Sequence, residues 1–194
     1  MVTIREEKLV DFAAREAVLD EAYGAVRFEK ASERLREGRV PAAGLSLVAV
    51  DGGQIVGTVQ LWQVTAGPGR PALLLGPLAV RPKHRNRGIG SALMRRAIAR
   101  ARLAGHNAIL LVGDAAYYSR FGFSAATTGA LWMPGPCQRD RLLALELRPE
   151  ALAGARGMIG ATGRLAPKPD LNLLIAANGG TQRANARKLV RHAA

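Results

Sequence analysis

The stretch "ALLLGPLAVRPKHRNRGIGSALMRRAIARARLAGHNAILLVG", Ala72 to Gly113, decides the fold. Its first nine residues, Ala72 to Val80, form an apolar run that follows the turn-forming "AGPGRP" and reads as a strand. Gly76-Pro77 interrupts that strand. Proline cannot donate to a sheet ladder and a strand glycine often marks a bulge, so a local distortion is expected there. Next come Arg81 to Arg87, rich in cations and free of acids, and then a Gly88-x-Gly90 pair. The glycines open a helix whose apolar positions Leu93, Ala97, Ile98 and Ala101 recur at three and four, closed by Gly105. "AILLVG" follows as a second buried strand. Strand, basic loop, helix and strand make a βαβ unit, so the two strands are expected to run parallel.

Upstream of this unit, "VTIRE" reads as a short strand and "DFAAREAVLDEAYG" as a helix ending on Gly24, with Phe12, Ala13, Val18, Leu19 and Ala22 near one face. A second short helix is expected in "EKASERLREG". "LSLVAV", the turn "DGGQ" and "IVGTVQLWQV" make an antiparallel hairpin. Downstream, "AAYYSRFG" reads as a short helix and "RLLALEL" as a late strand. The fold class is mixed α/β, with antiparallel strands first and a parallel central pair.

The whole chain of 194 residues is 48% hydrophobic, enough to bury a core of its own. Its formal charge of +13 favours anionic partners without naming one. The single cysteine, Cys137, excludes an internal disulfide and fits a reducing compartment. "MVTIREEKLVDF" has no secretory character, and no apolar run is long enough to span a bilayer, so a cytoplasmic protein without membrane partners is expected. From Ala151 onward seven basic residues face one acid, Asp170. Residues 1–150 are therefore read as the domain and 151–194 as a basic extension, packed on it with one or two late elements or trailing it. Nucleic acid is the weaker partner for that tail, because no aromatic residue follows Trp132 to stack on bases.

A helix N-terminus presents unpaired N–H groups and partial positive charge, so it suits a phosphate. Gly88 and Gly90 remove side chains that would hold a phosphate off, Arg85 and Arg87 add charge, and a pyrophosphate is the natural guest. A Rossmann fingerprint fails here because G-I-G-S-A-L lacks the third glycine. A P-loop fails because no lysine follows Gly90. The remaining pattern, Arg/Gln-x-x-Gly-x-Gly/Ala after a strand ending Leu-x-Val, is met in full by "LAVRPKHRNRGIG".

With these residues the chain resembles the GCN5-related N-acetyltransferase (GNAT) superfamily, and its small bacterial YhbS-like branch, from about Ile4 to Ile159. "YYSRFGF" strengthens the resemblance, since members place a tyrosine four residues before Gly-Phe; here it is Tyr118, before Gly122-Phe123. The resemblance implies the GNAT fold and acetyl-CoA as co-substrate, with no metal. It also implies a pyrophosphate held by the backbone of Arg85, Asn86, Arg87, Gly88, Ile89 and Gly90, helped by Ser91. Leu78, Ala79 and Val80 would pair with the pantetheine arm in a slot between the two splayed central strands. Tyr118 is the candidate general acid for the departing sulfur.

The implied activity is transfer of an acetyl group from acetyl-CoA to a primary amine of a small molecule or protein, by a monomer or homodimer. The alternative is a non-catalytic CoA-binding or regulatory module associated with nucleic acid through the basic tail. One departure is plain: "ALLLGPLAV" carries no acid to act as base. Asp114 is the nearest acid, and capping the "AAYYS" helix is its stronger reading. Other notable residues take structural readings: Tyr117 as packing, Cys137 as a loop thiol, and Trp62, Trp132 and Met133 as core before acceptor pocket. His84, His106 and His192 lack metal-ligand spacing.

Overall fold

The computed structural model describes residues 1–167. A mixed sheet organises the compact unit Met1–Arg164. In chain order the strands are β1 (Thr3–Glu6), β2 (Ser46–Asp51), β3 (Gln54–Ala66), β4 (Pro71–Val80), β5 (Ala108–Val112), β6 (Leu131–Trp132), β7 (Leu142–Glu146) and β8 (Gly157–Ala161). The helices are α1 (Phe12–Tyr23), α2 (Ile89–Leu103) and the single turn α3 (Ala115–Tyr118). The spatial order is β1-β2-β3-β4-β5-β7, and β8 pairs with the far half of β3 through Val64↔Ala161 to Ala66↔Ile159. Strands β4 and β5 are parallel, as the βαβ reading requires, while β1 to β4 pair antiparallel.

The sheet's two faces follow the strand period of two. Leu47, Ala49, Leu73, Leu75, Ile109, Leu111, Leu143 and Leu145 pack under Leu93, Met94, Ala97 and Ile98 of α2. The alternate residues turn to the other face: Val48 meets Val18 and Leu19 of α1, and Leu74, Leu110 and Ala144 meet Leu35, Leu131 and Ile159. Leu93 and Met94 are fully buried. Each contributes roughly 1.5–3 kcal/mol of transfer free energy, so α2 is held by burial more than by propensity.

The distortion expected at Gly76-Pro77 is present. Val59 faces Leu78 and Leu61 faces Leu75, so the lone Gln60 stands against Gly76 and Pro77 and β4 bulges. The second helix expected in "EKASERLREG" is not formed. A 3-10 turn covers Gly24–Glu29, Lys30 is extended, and a second turn covers Glu33–Leu35. A helix of that length is marginal by itself, and tertiary contacts win. Arg27 is tied back to Glu16 and Asp20 of α1, and Ala31 and Leu35 are buried against the sheet. Of the basic extension read from residue 151, Gly157–Ala161 is strand β8, and the cation-rich part with His192 lies outside the described residues.

Candidate active site

The ladder between β4 and β5 comprises only Leu73↔Ile109 and Leu74↔Leu110. Past Leu74 the two parallel strands separate, and the second half of β4 has no strand on that side. Consecutive N–H groups of a strand point to opposite edges. Because Arg81 N–H donates to Val56 O at 2.8 Å, the Val80 N–H faces the open edge. The Leu78 carbonyl faces the same way and accepts from the Tyr23 hydroxyl of α1.

The N-terminus of α2 lies beside this edge. Asn86 (φ 61°) and Gly88 (φ 74°) are left-handed, so the loop curls with amides turned inward. The Ala92 N–H bonds to Gly88 O at 2.9 Å, which leaves the N–H groups of the first turn without helical partners. A cavity of about 390 Å³ is lined here by His84, Arg85, Asn86, Gly88 to Ser91, Val80, Tyr117 and Arg120. A second, of about 450 Å³, continues along β4 past Leu78, Ala79 and Val80 to Tyr118 and Asp114. Val80, Arg85, Gly90 and Tyr117 belong to both, so the two make one groove.

The structure thus brings nine of the ten proposed cofactor-contacting residues and Tyr118 to one groove; the side chain of Arg87 points elsewhere, paired with Asp51 at 2.9 Å. Ile89 is buried in the core and leaves only its backbone to the groove. Tyr118 packs edge-on to Tyr117 with ring centroids 4.9 Å apart, and rests over Gly113. A Cβ on Gly113 would lie 2.1 Å from Tyr118 Cε2, so glycine is what admits the ring. Burial pushes the Tyr118 phenol well above its ordinary range, with Tyr23, Tyr117 and Asp114 adding and Arg141 opposing. The hydroxyl therefore stays protonated.

Asp114 caps α3, accepting from Ala116 N–H at 2.9 Å, which is the structural role expected of it. Trp62 donates Nε1–H to Gly76 O at 2.7 Å and so braces the bulge. Trp132, Met133 and Cys137 line a separate cavity of about 280 Å³ with Arg139 over the Trp132 ring. Sequence reasoning missed Tyr23, Lys30, Gly113, Arg120 and Arg141. Four are ordinary tyrosine or basic side chains in a chain with 28 Lys and Arg, and carry no motif. Gly113 was visible only as the end of a strand.

The comparisons bear on a groove of this shape. The sequence profile of the Acetyltransferase (GNAT) family matches residues 9–123. The chain belongs to the GNAT family. It is 29% identical over 157 residues to the uncharacterized N-acetyltransferase YhbS of Escherichia coli K12, covering 80% of this chain and 93% of that one. The crystal structure of Escherichia coli YhbS in complex with CoA matches with a TM-score of 0.70 at 30% identity, over 83% of this chain and 89% of that one. A GNAT acetyltransferase of Brucella melitensis in complex with acetyl-CoA matches with a TM-score of 0.60 at 28% identity, over 87% and 97%. The mixed sheet with its single splayed β4–β5 pair is thus the GNAT fold, and this GNAT chain has no helix among its described residues long and apolar enough to cross a membrane.

Proposed function

We propose that the chain is an acetyl-CoA-dependent N-acetyltransferase that moves an acetyl group directly to a primary amine of a small molecule or protein. The observation that carries the reading is the unpartnered edge of β4 lying beside the open N-terminus of α2. Backbone amides from Arg85 to Gly90, with the Ser91 hydroxyl, bind the pyrophosphate. Leu78, Ala79 and Val80 pair with the pantetheine arm. The two solved relatives with CoA or acetyl-CoA support this cofactor.

Each chemical requirement then falls to a group of the chain. The amine nitrogen attacks the thioester carbonyl carbon, and the Val80 N–H donates to the oxygen as charge develops on it. As the C–N bond forms and the C–S bond breaks, the sulfur takes a proton from the Tyr118 hydroxyl, which regains one from solvent. The amine's proton leaves to water, since Asp114 is engaged as a cap. The products are the amide and CoA with a free thiol. In-line positioning supplies up to roughly 7–11 kcal/mol, whereas a general acid contributes about 10²–10⁴-fold, so positioning is the larger effect. The single cysteine supports a cytoplasmic setting.

Calorimetry with acetyl-CoA tests the binding step: a Kd in the micromolar range, about −8 kcal/mol, is expected. Gly88→Glu should abolish it by straining the left-handed turn and placing a carboxylate where phosphate belongs. Saturating acetyl-CoA that leaves the melting temperature unmoved, with Gly88→Glu indistinguishable from wild type, refutes the pyrophosphate site. Release of CoA thiol against amines separates an enzyme from a CoA-binding module.

A further inference from the structure

Beyond Tyr118 the groove opens into a third cavity of about 320 Å³, reached between Lys30, Val112 and Arg141, which line both spaces. Its remaining walls are Ala31, Ser32, Pro136, Cys137 and Gln138. This is the side of Tyr118 away from the loop that receives the pyrophosphate, and the space is of metabolite size. The passage is cationic: Lys30 comes from the segment after α1, Arg141 from the turn before β7, and Arg85 from the phosphate loop. Among the described residues neither Lys30 nor Arg141 has a carboxylate partner. The one acid lining the passage, Asp114, has its Oδ1 committed to Ala116 N–H.

Arg36, whose charge reaches Lys30, is buried, with Nη2 on Glu33 at 2.5 Å and Nε without a partner. Burial and the charges of Arg36 and Arg141 together push the Lys30 amine down. Lys30 and Arg141, packed at one opening with no carboxylate paired to either among the described residues, raise the energy of the empty site, and an anionic ligand relieves it.

Taking the N-acetyltransferase reading as the premise, we infer that the acceptor is a small amine bearing its own anionic group, a carboxylate or phosphate, held by Lys30 and Arg141 while its amine points at Tyr118. The Arg141 fork suits either anion, and the Lys30 ammonium, set over the Tyr23 ring at 4.1 Å, adds a point charge. The same cations disfavour a second positive charge, so they exclude polyamines and favour the neutral, nucleophilic form of the acceptor amine. That offsets the missing acid on β4.

The test measures CoA thiol release on matched pairs: each α-amino acid against its decarboxylated amine, and O-phosphoethanolamine against ethanolamine, with spermidine alongside. At least one anionic member should exceed its neutralised partner by tenfold or more in kcat/KM, and which pair does so distinguishes carboxylate from phosphate. Arg141→Met should lower kcat/KM for the anionic member about 10–100-fold, mostly through KM, and so collapse its ratio to the neutralised partner; Lys30→Met should act in the same direction. Preference for spermidine or the decarboxylated amines overturns the inference, as does a ratio unchanged in Arg141→Met. Acetyl-CoA binding with no turnover of any pair also overturns it and leaves the cofactor site standing, whereas failure to bind acetyl-CoA removes the proposed function itself.

Discussion

At the scale of single residues, Tyr118 and Gly113 act together. Tyr118→Phe keeps the ring and its packing on Phe123, so its stability cost should be small. Steady-state kinetics should show kcat lower by roughly ten- to a thousand-fold with acetyl-CoA affinity unchanged, and Tyr117→Phe close to wild type. Full kcat in Tyr118→Phe would return the residue to a packing role. Because burial moves the phenol upward, activity should hold its acid form through the ordinary phenol range near pH 10, without an alkaline limb below it. Gly113→Ala should reproduce the kcat loss of Tyr118→Phe by another route, since its methyl group must displace the ring. Calorimetry showing intact acetyl-CoA binding beside low kcat would support that; unimpaired kcat would mean the ring can shift without consequence. The spacing that singled out Tyr118 was legible in the chain, but the glycine beneath it was not, because only the folded backbone brings the two together.

The elements divide in the same way. The βαβ unit could be read because α2 repeats its apolar positions at three and four, because β4 and β5 are apolar runs, and because Gly76-Pro77 announces a bulge. Strands β6 and β8 were opaque: "LW" is two residues, and "GMIGA" is strand because β3 offers it an edge, not because of its own pattern. The junction of β1 and α1, by contrast, is held by contacts local in sequence. Asp11 accepts from Arg5 at 2.5 and 2.9 Å and from Lys8 N–H at 2.7 Å, and the Arg5 guanidinium is the main reason its carboxyl is lowered to about 2. A lowered carboxyl stabilises the fold above its unfolded pKa near 4 and loses that contribution as pH falls toward 2. After discounting for the solvent reaching Arg5, the contribution is about 1 kcal/mol. Asp11→Asn should therefore lower Tm at pH 7 and flatten the Tm profile between pH 4 and 2, as thermal melts across that window would reveal.

For the whole molecule, charge is the property that composition announced and the fold then distributes. The excess is +13, yet Arg27, Arg81, Arg87 and Arg100 are paired with acids of the sheet and α1. Lys30 and Arg141, remote in sequence, meet at one opening, so no reading of local pattern could have joined them. The proposed basic extension can be tested as a unit. Removing residues after Ala166 should leave acetyl-CoA affinity within about twofold and change DNA binding little at 150 mM salt. A truncation that instead abolished a tight, strongly salt-dependent DNA complex would favour the binding-module reading.

The open edge of β4 also dictates a pattern in time. Arg81 N–H is spent on Val56 O, while Val80 N–H, one residue earlier, faces the open edge. In deuterated buffer, the amide hydrogens of Leu78 and Val80 should thus exchange rapidly in the free protein, and those of Ala79 and Arg81 slowly. Saturation with CoA should then protect alternate residues, slowing Leu78 and Val80 while their neighbours keep their rates. Uniform slowing along Leu75–Val80 would instead indicate a general tightening of the strand, and no slowing would indicate that nothing adds to its edge.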